Sequence, residues 1–434
     1  MSSDSDYLNI LNSLISSGIQ VDKNLRQPSY YSSVNFDELK SECTCIITDL
    51  LTNQRVAYWL SQRIAWYYSS KYFQEIITDL SLSLNQSDET INQKSNAKCF
   101  NREHLVKYLR NTISDIIKEW LNERSNLQNQ NIKSLLFSFN RYDKSSSNNV
   151  TFYEYCIKNK RRTMEDRTSI YENIDLFNNC FLSDSTSEDI SKKQSSLFAI
   201  FDGHCGTDCV QYVSTHLPIE IIQHPEFKNK IDSNLDSIFK ETFDSVNSKF
   251  STKAKKENLK SGCTSCIAIL TKSSGVFTKL NVAWCGDSQI GLVKNGQLNF
   301  LSEIHKPEIE SEKLRIEKSG GSVSNECGTW RVNGSLSVSR SFGDIDYHCV
   351  ISEPEIKQFD LDGREDYCIL GCDGFWESVN LQDLTRIIYE NRNSQNMAEF
   401  LVKYAKDNGS TDNISVIFVL LKENFDQISS PLFF

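Results

Sequence analysis

The sequence predicts an α+β protein, with a helical N-terminal region followed by strands that form largely antiparallel sheets. Three observations lead there. Apolar residues recur at helical spacing through residues 36–80 and again through 102–125. From Val150 the texture changes to short β-type runs punctuated by Gly, Asn and Asp. Helical candidates fall between those runs without the strict alternation of a βαβ protein.

In the first region, Leu39, Cys43, Ile46, Ile47, Leu50 and Leu51 mark one helical face, and Val56 to Ile77 is rich in aromatic and aliphatic residues. A polar patch, Asn85 to Asn96, interrupts. Leu105, Leu109, Ile113, Ile116, Ile117 and Trp120 then define another amphipathic helix. The run Asn140 to Asn149 reads as a polar linker or surface loop. Strands are expected at Leu197–Phe201, Thr264–Leu270, Lys279–Trp284, Ile290–Lys294 and Ile414–Leu420. Helices are expected at Thr207–Leu217, Leu235–Phe250, Glu310–Lys318, Leu381–Asn391 and Met397–Asp407. Asn295-Gly296 is a hairpin signal, and residues 172–195 read as a surface insertion. The organisation expected is a helical region over 1–149, regulatory or partner-docking and ending in a polar linker, a mixed strand-and-helix domain over 150–422, and a short tail over 423–434.

The chain has 434 residues, 57 acidic against 47 basic, for a net charge of −10, which argues against general affinity for nucleic acid or anionic membrane. No apolar run approaches a membrane span, and no signal peptide or lipidation motif is evident. The fourteen cysteines then read as reduced thiols, and a cytoplasmic location is expected, with the nucleus also open. Cys263 and Cys266 have CxxC spacing, but they lie in an apolar β-like run and have no second pair, so they read as core thiols.

Function is written in the acidic residues. Glu165-Asp166, Asp202-Gly203-His204, Asp287, Asp373-Gly374 and Asp412-Asn413 follow or interrupt β-type runs. A carboxylate at the tip of a buried strand is costly to desolvate unless a cation sits against it. Asp and Glu oxygens suit hard ions such as Mg²⁺ and Mn²⁺, and two such ions suit attack on phosphorus. Arg161 or Arg162 could clamp phosphate oxygens, and His204 could protonate a leaving alkoxide. Singly these signals are bland: an Asp-Gly pair is usually a turn, and a lone histidine is usually structural.

Together and in order they are specific. The matches are Arg161 to Asp166, Phe198 to His204, Ser261 to Thr264, Ala283 to Ser288, His305-Lys-Pro307, Glu312 to Gly321, Arg331 to Asp344, Asp373-Gly-Phe-Trp376 and Gly409 to Asn413. Over residues 150–422 the chain resembles the metal-dependent, type 2C Ser/Thr protein phosphatases. Ala283 to Gln289 and Trp330 to Gly334 point within that family to the calcium/calmodulin-dependent protein kinase phosphatase group and its nematode feminisation relative.

The resemblance implies a four-layer α-β-β-α sandwich and hydrolysis of phosphoserine and phosphothreonine by a hydroxide bridging two Mg²⁺ or Mn²⁺ ions. It implies that Asp202 bridges both ions, that Asp373 and Asp412 complete one site, and that Glu165 and the Gly203 carbonyl complete the other. Asp166 would hold metal-bound waters, Arg161 the phosphoryl group, and His204 would be the general acid. Asp287 with Asp373 would hold a weaker third ion. Phosphoproteins would be the substrates, with protein kinases among the candidate partners and the N-terminal region a candidate docking element.

Four positions depart from the family pattern. Cys205 stands where Gly is usual, Gln289 where Arg is usual, Ile304 where Asp is often found, and Glu377 where Asp commonly ends the Asp-Gly-x-Trp run. None removes a ligand of the two central ions. The alternative is a pseudophosphatase scaffold that keeps the fold and binds partners without turnover.

Overall fold

The computed structural model describes residues 31–52, 58–84, 99–126, 150–174, 193–227 and 235–431. The expected polar patch at 85–96, the linker at 140–149 and most of the insertion at 172–195 lie outside those residues. The chain divides into two compact units, 1–146 and 147–434.

In the first unit the helical periodicity resolves into α1 (Leu39–Thr52), α2 (Tyr58–Lys71), α3 (Phe73–Leu84) and α4 (Arg102–Asn126). Short strands β1 (Ser33–Asn35) and β2 (Cys99–Asn101) pair antiparallel beside them. Leu39, Cys43, Ile47 and Leu51 of α1 and Leu105, Leu109 and Ile117 of α4 are fully buried, as their spacing predicts. One charged group is buried with them. Glu42 accepts from Arg102 Nε at 3.1 Å and also bonds Tyr31, so its charge is paired inside the helical core.

The second unit contains two five-stranded antiparallel sheets. In one, the order is β11 (Gln297–Phe300), β10 (Gln289–Lys294), β16 (Glu365–Gly371), β17 (Ile414–Leu420) and β3 (Thr151–Ile157). In the other it is β15 (Glu355–Asp360), β9 (Val276–Cys285), β8 (Ser265–Ser273), β5 (Lys193–Phe201) and β4 (Arg167–Tyr171). Short strands β14 (Phe342–Gly343), β7 (Gly262–Cys263) and β6 (Gly203–His204) form a small third sheet, and β12 (Val323–Glu326) pairs with β13 (Thr329–Val332). Phe198 and Ile200 of β5, Leu280, Val282 and Trp284 of β9, Leu370 of β16 and Ile417 and Val419 of β17 share the core between the sheets. Alternate residues of β17, Val416, Phe418 and Leu420, face outward under α9 (Leu381–Glu390) and α10 (Met397–Asp407). That explains why β17 is apolar at every position but Ser415: it is covered on both faces.

The second sheet is covered by α5 (Asp208–Gln223), which lies on β4 and β5, and by α6 (Asp236–Glu257), which lies on α5. The layers are therefore helix, sheet, sheet, helix. The expected hairpin is present: Asn295 and Gly296 both take positive φ (53° and 74°) between β10 and β11. Residues 425–431 are part of this unit, since Ile428 joins the outer core and Asp366 accepts from both the backbone and hydroxyl of Ser429. Cys263 and Cys266 are fully buried and free, as their apolar setting predicts.

Phe198 is fully buried between the sheets, its ring packed edge-to-face on Phe152 at 5.5 Å. Phe198→Ala is expected to cost about 3–5 kcal/mol, read as a lowered urea midpoint, because the dense interior leaves a cavity. A loss below about 1 kcal/mol would contradict this assignment of the core.

Candidate active site

The pairing of the strands brings the acidic residues together. Arg167 of β4 faces Phe201 of β5, so Asp166, just before β4, and Asp202, just after β5, reach the same sheet end. In the other sheet Gly371 of β16 faces Val416 of β17, which places Cys372 and Asp373 beside Asp412 and Asn413. Asp373 opens the short helix α8 (Asp373–Trp376), which follows α7 (Glu310–Lys318) along the chain. Asp287 lies in the turn that leads from β9 in one sheet to β10 in the other.

Contacts across the sheets fix this edge. Ser415 Oγ of β17 donates to Asp166 Oδ2 at 2.6 Å. The Asn413 side chain accepts from the Glu165 backbone N–H at 2.8 Å and donates to the carbonyls of Lys158 (2.9 Å) and Thr163 (3.0 Å). One amide thus straps the whole loop from β3 to β4. Glu165 is further held by Thr163 Oγ1 (2.6 Å) and faces the Gly206 N–H. Glycine is required where backbones meet: a Cβ on Gly203 would lie 2.5 Å from the Glu165 carbonyl, and one on Gly374 would lie 2.1 Å from the Asn413 carbonyl.

The electrostatics call for a cation. Burial raises the Asp166 carboxyl to about 6, and Asp166 Oδ1 is buried without a hydrogen-bond partner. Burial, reinforced by Asp166, Asp373 and Asp287, pushes Asp202 well above the carboxylate range. Burial also raises Asp287 to about 7, with Asp373 adding to it. Asp166, Asp202 and Cys372 offer ligand atoms within 4.8 Å of one another. Burial holds the Cys372 thiol well up, so its sulfur stays protonated and the oxygens dominate the donor set. Oxygen donors, an orphaned carboxylate atom and crowded negative charge fit a hard divalent ion.

Two cationic side chains and a histidine border the acids. Arg161 is exposed and its guanidinium is paired with the Asp412 carboxylate. Lys306 Nζ lies 3.6 Å from Asp287 and 2.6 Å from Glu377. His204 Nε2 lies 2.8 Å from Asp344 Oδ2, and the buried Asp344 also accepts from Ser341 Oγ. That contact exists because residue 262 is glycine; a Cβ there would lie 2.3 Å from Asp344 Oδ2 and 2.5 Å from His204 Nε2. Burial opposes the imidazolium, yet the bond to Asp344 and its charge outweigh burial and raise His204 above its ordinary value.

Residues 153–414 match the family described as protein phosphatase 2C. This chain belongs to that family. It is 40% identical over 277 residues to mouse protein phosphatase 1F, covering 62% of this chain and 57% of that protein. It is 38% identical over 281 residues to human protein phosphatase 1E, covering 63% and 35%. The chain thus spans a little over half the length of the first of these curated relatives. In fold it is similar to a C. elegans sex-determining protein, with a TM-score of 0.70 at 21% identity over 97% of this chain and 95% of that one. A Toxoplasma gondii serine-threonine phosphatase 2C aligns with a TM-score of 0.51 at 20% identity, over 63% and 95%. The identities to protein phosphatases 1F and 1E agree with the subgroup expected from the motifs, and the solved structures agree with the fold.

Of the phosphatase 2C residues read from the sequence, Asp166, Asp202, Asp287, Asp373 and Asp412 converge, with Glu165, Gly203, His204 and Arg161 around them. Arg162 is exposed. Cys205 takes a left-handed backbone conformation (φ 58°), the region where glycine is unstrained, and its side chain is exposed. Sequence reasoning passed over Cys372, Asp344 and Lys306 as site residues. Cys372 looks apolar and carries no local signal, whereas Asp344 and Lys306 stood inside matched motifs without a role.

The raised carboxyls set a pH dependence. Asp166 (about 6) and Asp287 (about 7) hold protons in the fold at pH values where the unfolded chain has lost them. A folded-state pKa raised in this way favours the fold at low pH and loses that contribution as pH climbs through it; His204, also raised, acts in the same direction. Metal-free protein is therefore expected to melt lower at about pH 8 than at about pH 5. Saturating Mn²⁺ should raise the melting temperature more at the higher pH, because protons compete for the same oxygens. A metal-free melting temperature that rises over this span would contradict the clustering.

Proposed function

We propose that this protein is a metal-dependent protein Ser/Thr phosphatase that hydrolyses phosphoserine and phosphothreonine. The observation that carries the reading is the convergence of carboxylates from both sheets on one edge, bordered by Arg161 and by the His204–Asp344 pair. Family membership supports it.

Asp202, Asp373, Asp412, Glu165 and the Gly203 carbonyl would hold two Mg²⁺ or Mn²⁺ ions, with Asp166 orienting water beside them. Bound there, two hard ions supply a water of lowered pKa and neutralise charge at phosphorus. The chain's own residues do the rest. Arg161, exposed on the rim, presents a planar guanidinium suited to two phosphoryl oxygens at once. His204 uses Nε2 on Asp344, so Nδ1 is left for the seryl or threonyl oxygen that must take a proton as it leaves. Gly262 keeps the space that lets His204 and Asp344 meet. Cys205 removes none of these groups, and its side chain is exposed.

Turnover of an aryl phosphate with Mn²⁺, abolished by EDTA, tests the reading directly. Asp373→Asn is expected to lower kcat/KM on the order of 10³-fold or more while circular dichroism stays unchanged. Near wild-type activity in that variant would overturn the placement of the metal site. His204→Ala should slow a phosphoserine peptide on the order of 10²-fold, and an aryl phosphate much less, because only the poor leaving group needs a proton. Equal losses on both substrates would remove His204 from the acid role.

A further inference from the structure

The outer part of the acidic edge contains its own cation. Lys306 Nζ lies 2.6 Å from Glu377 Oε1 and 3.6 Å from Asp287 Oδ2. Its position is imposed by the backbone. The His305 N–H donates to the Gly286 carbonyl at 2.9 Å, and the Gly286 N–H donates back to His305 Nδ1 at 3.0 Å. The Ser339 N–H donates to the His305 carbonyl at 3.0 Å, and the His305 ring stacks on Trp284 with only 12° between planes. These four contacts zip residues 305–306 against the turn that carries Asp287. Lys306 is not a surface lysine that happens to swing inward.

We infer that Lys306 supplies the cation of the outer cluster, so that Asp287, Asp373 and Glu377 do not take up a third divalent ion in the wild-type protein. The inference rests on the two-ion reading proposed above and departs from the weaker third ion implied by the sequence resemblance.

Charge and geometry both support it. Asp287 is only 5% exposed and needs a counter-charge. The Lys306 ammonium lies between the Asp287 and Glu377 carboxylates with its side chain only 20% exposed, so it meets that need directly. A divalent ion bonded to the same Asp287 oxygen at roughly 2.1 Å would lie no more than about 6 Å from Nζ, where like charges in a partly buried site repel strongly. The Glu377 carboxylate, which would otherwise be free for such an ion, is spent on the lysine. Among the described residues, Asp412 is paired with Arg161 on the exposed rim, whereas Lys306 contacts the outer acids Asp287 and Glu377.

The test counts Mn²⁺ ions bound per chain, by calorimetry and by electron paramagnetic resonance of free Mn²⁺, in the full-length protein. Lys306→Met and Lys306→Gln remove the charge with different packing, so failure of one to fold leaves the other. Each is expected to bind one more Mn²⁺ than wild type, and Asp287→Asn added to either should abolish that extra ion. An unchanged count in the folded variants, or an extra ion that survives Asp287→Asn, would overturn the inference. Wild-type protein that binds no Mn²⁺ at all would instead sink the two-ion reading, since the lysine is judged only by the difference between variant and wild type.

Discussion

Carboxylates drawn to one edge of a two-sheet sandwich cannot all stay ionised unless cations join them, and the rest of the second unit is arranged around that constraint. Asp166 and Asp202 come from one sheet, Asp373 and Asp412 from the other, and Asp287 from the turn between them. Burial alone would neutralise them: Asp202 stands well above the carboxylate range and Asp166 at about 6. The sandwich supplies the opposing force. Its apolar core, with Phe198, Trp284, Leu370 and Ile417 between the sheets, holds the strand ends at a fixed separation that the acids cannot relax by moving apart.

Precision at that edge comes from backbone and amides more than from the acids themselves. The Asn413 side chain binds three main-chain groups of the loop that presents Glu165. Gly203, Gly262 and Gly374 admit atoms that a single methyl group would displace. The structure is therefore intolerant where the sequence looks simplest. The acidic residues, by contrast, sit among side chains with rotational freedom, such as Arg161 and Glu377, each more than half exposed.

Much of this was legible beforehand. Period-two and period-3.6 patterns mark the strands and helices because β17 and α10 are buried strongly enough to need continuous apolar faces. The hairpin at Asn295-Gly296 follows from the positive φ its twist demands. The acids announced themselves at strand tips, and the motif order tied them to a family. Other parts depend on distance in the fold and leave no local trace. Asp344 is 140 residues from His204, and its role exists only because Gly262 leaves a gap between them. Cys372 reads as one more apolar residue until β16 carries it to Asp166 and Asp202. Lys306 meets Glu377 across 71 residues. Pairings of that kind are written in tertiary geometry, and periodicity does not encode them.

The contact between Arg161 and Asp412 carries an implication about order of events. One carboxylate is shared between two claims: it holds the guanidinium on the rim, and it belongs to the acidic edge. A cation that took Asp412 Oδ2 would compete with the guanidinium for that oxygen, while Oδ1 accepts from the Asn413 N–H. A guanidinium freed in that way is available to a dianionic group arriving from solvent, and one still tied to Asp412 is partly neutralised. The charge available on the rim would then depend on how the Asp412 carboxylate is shared.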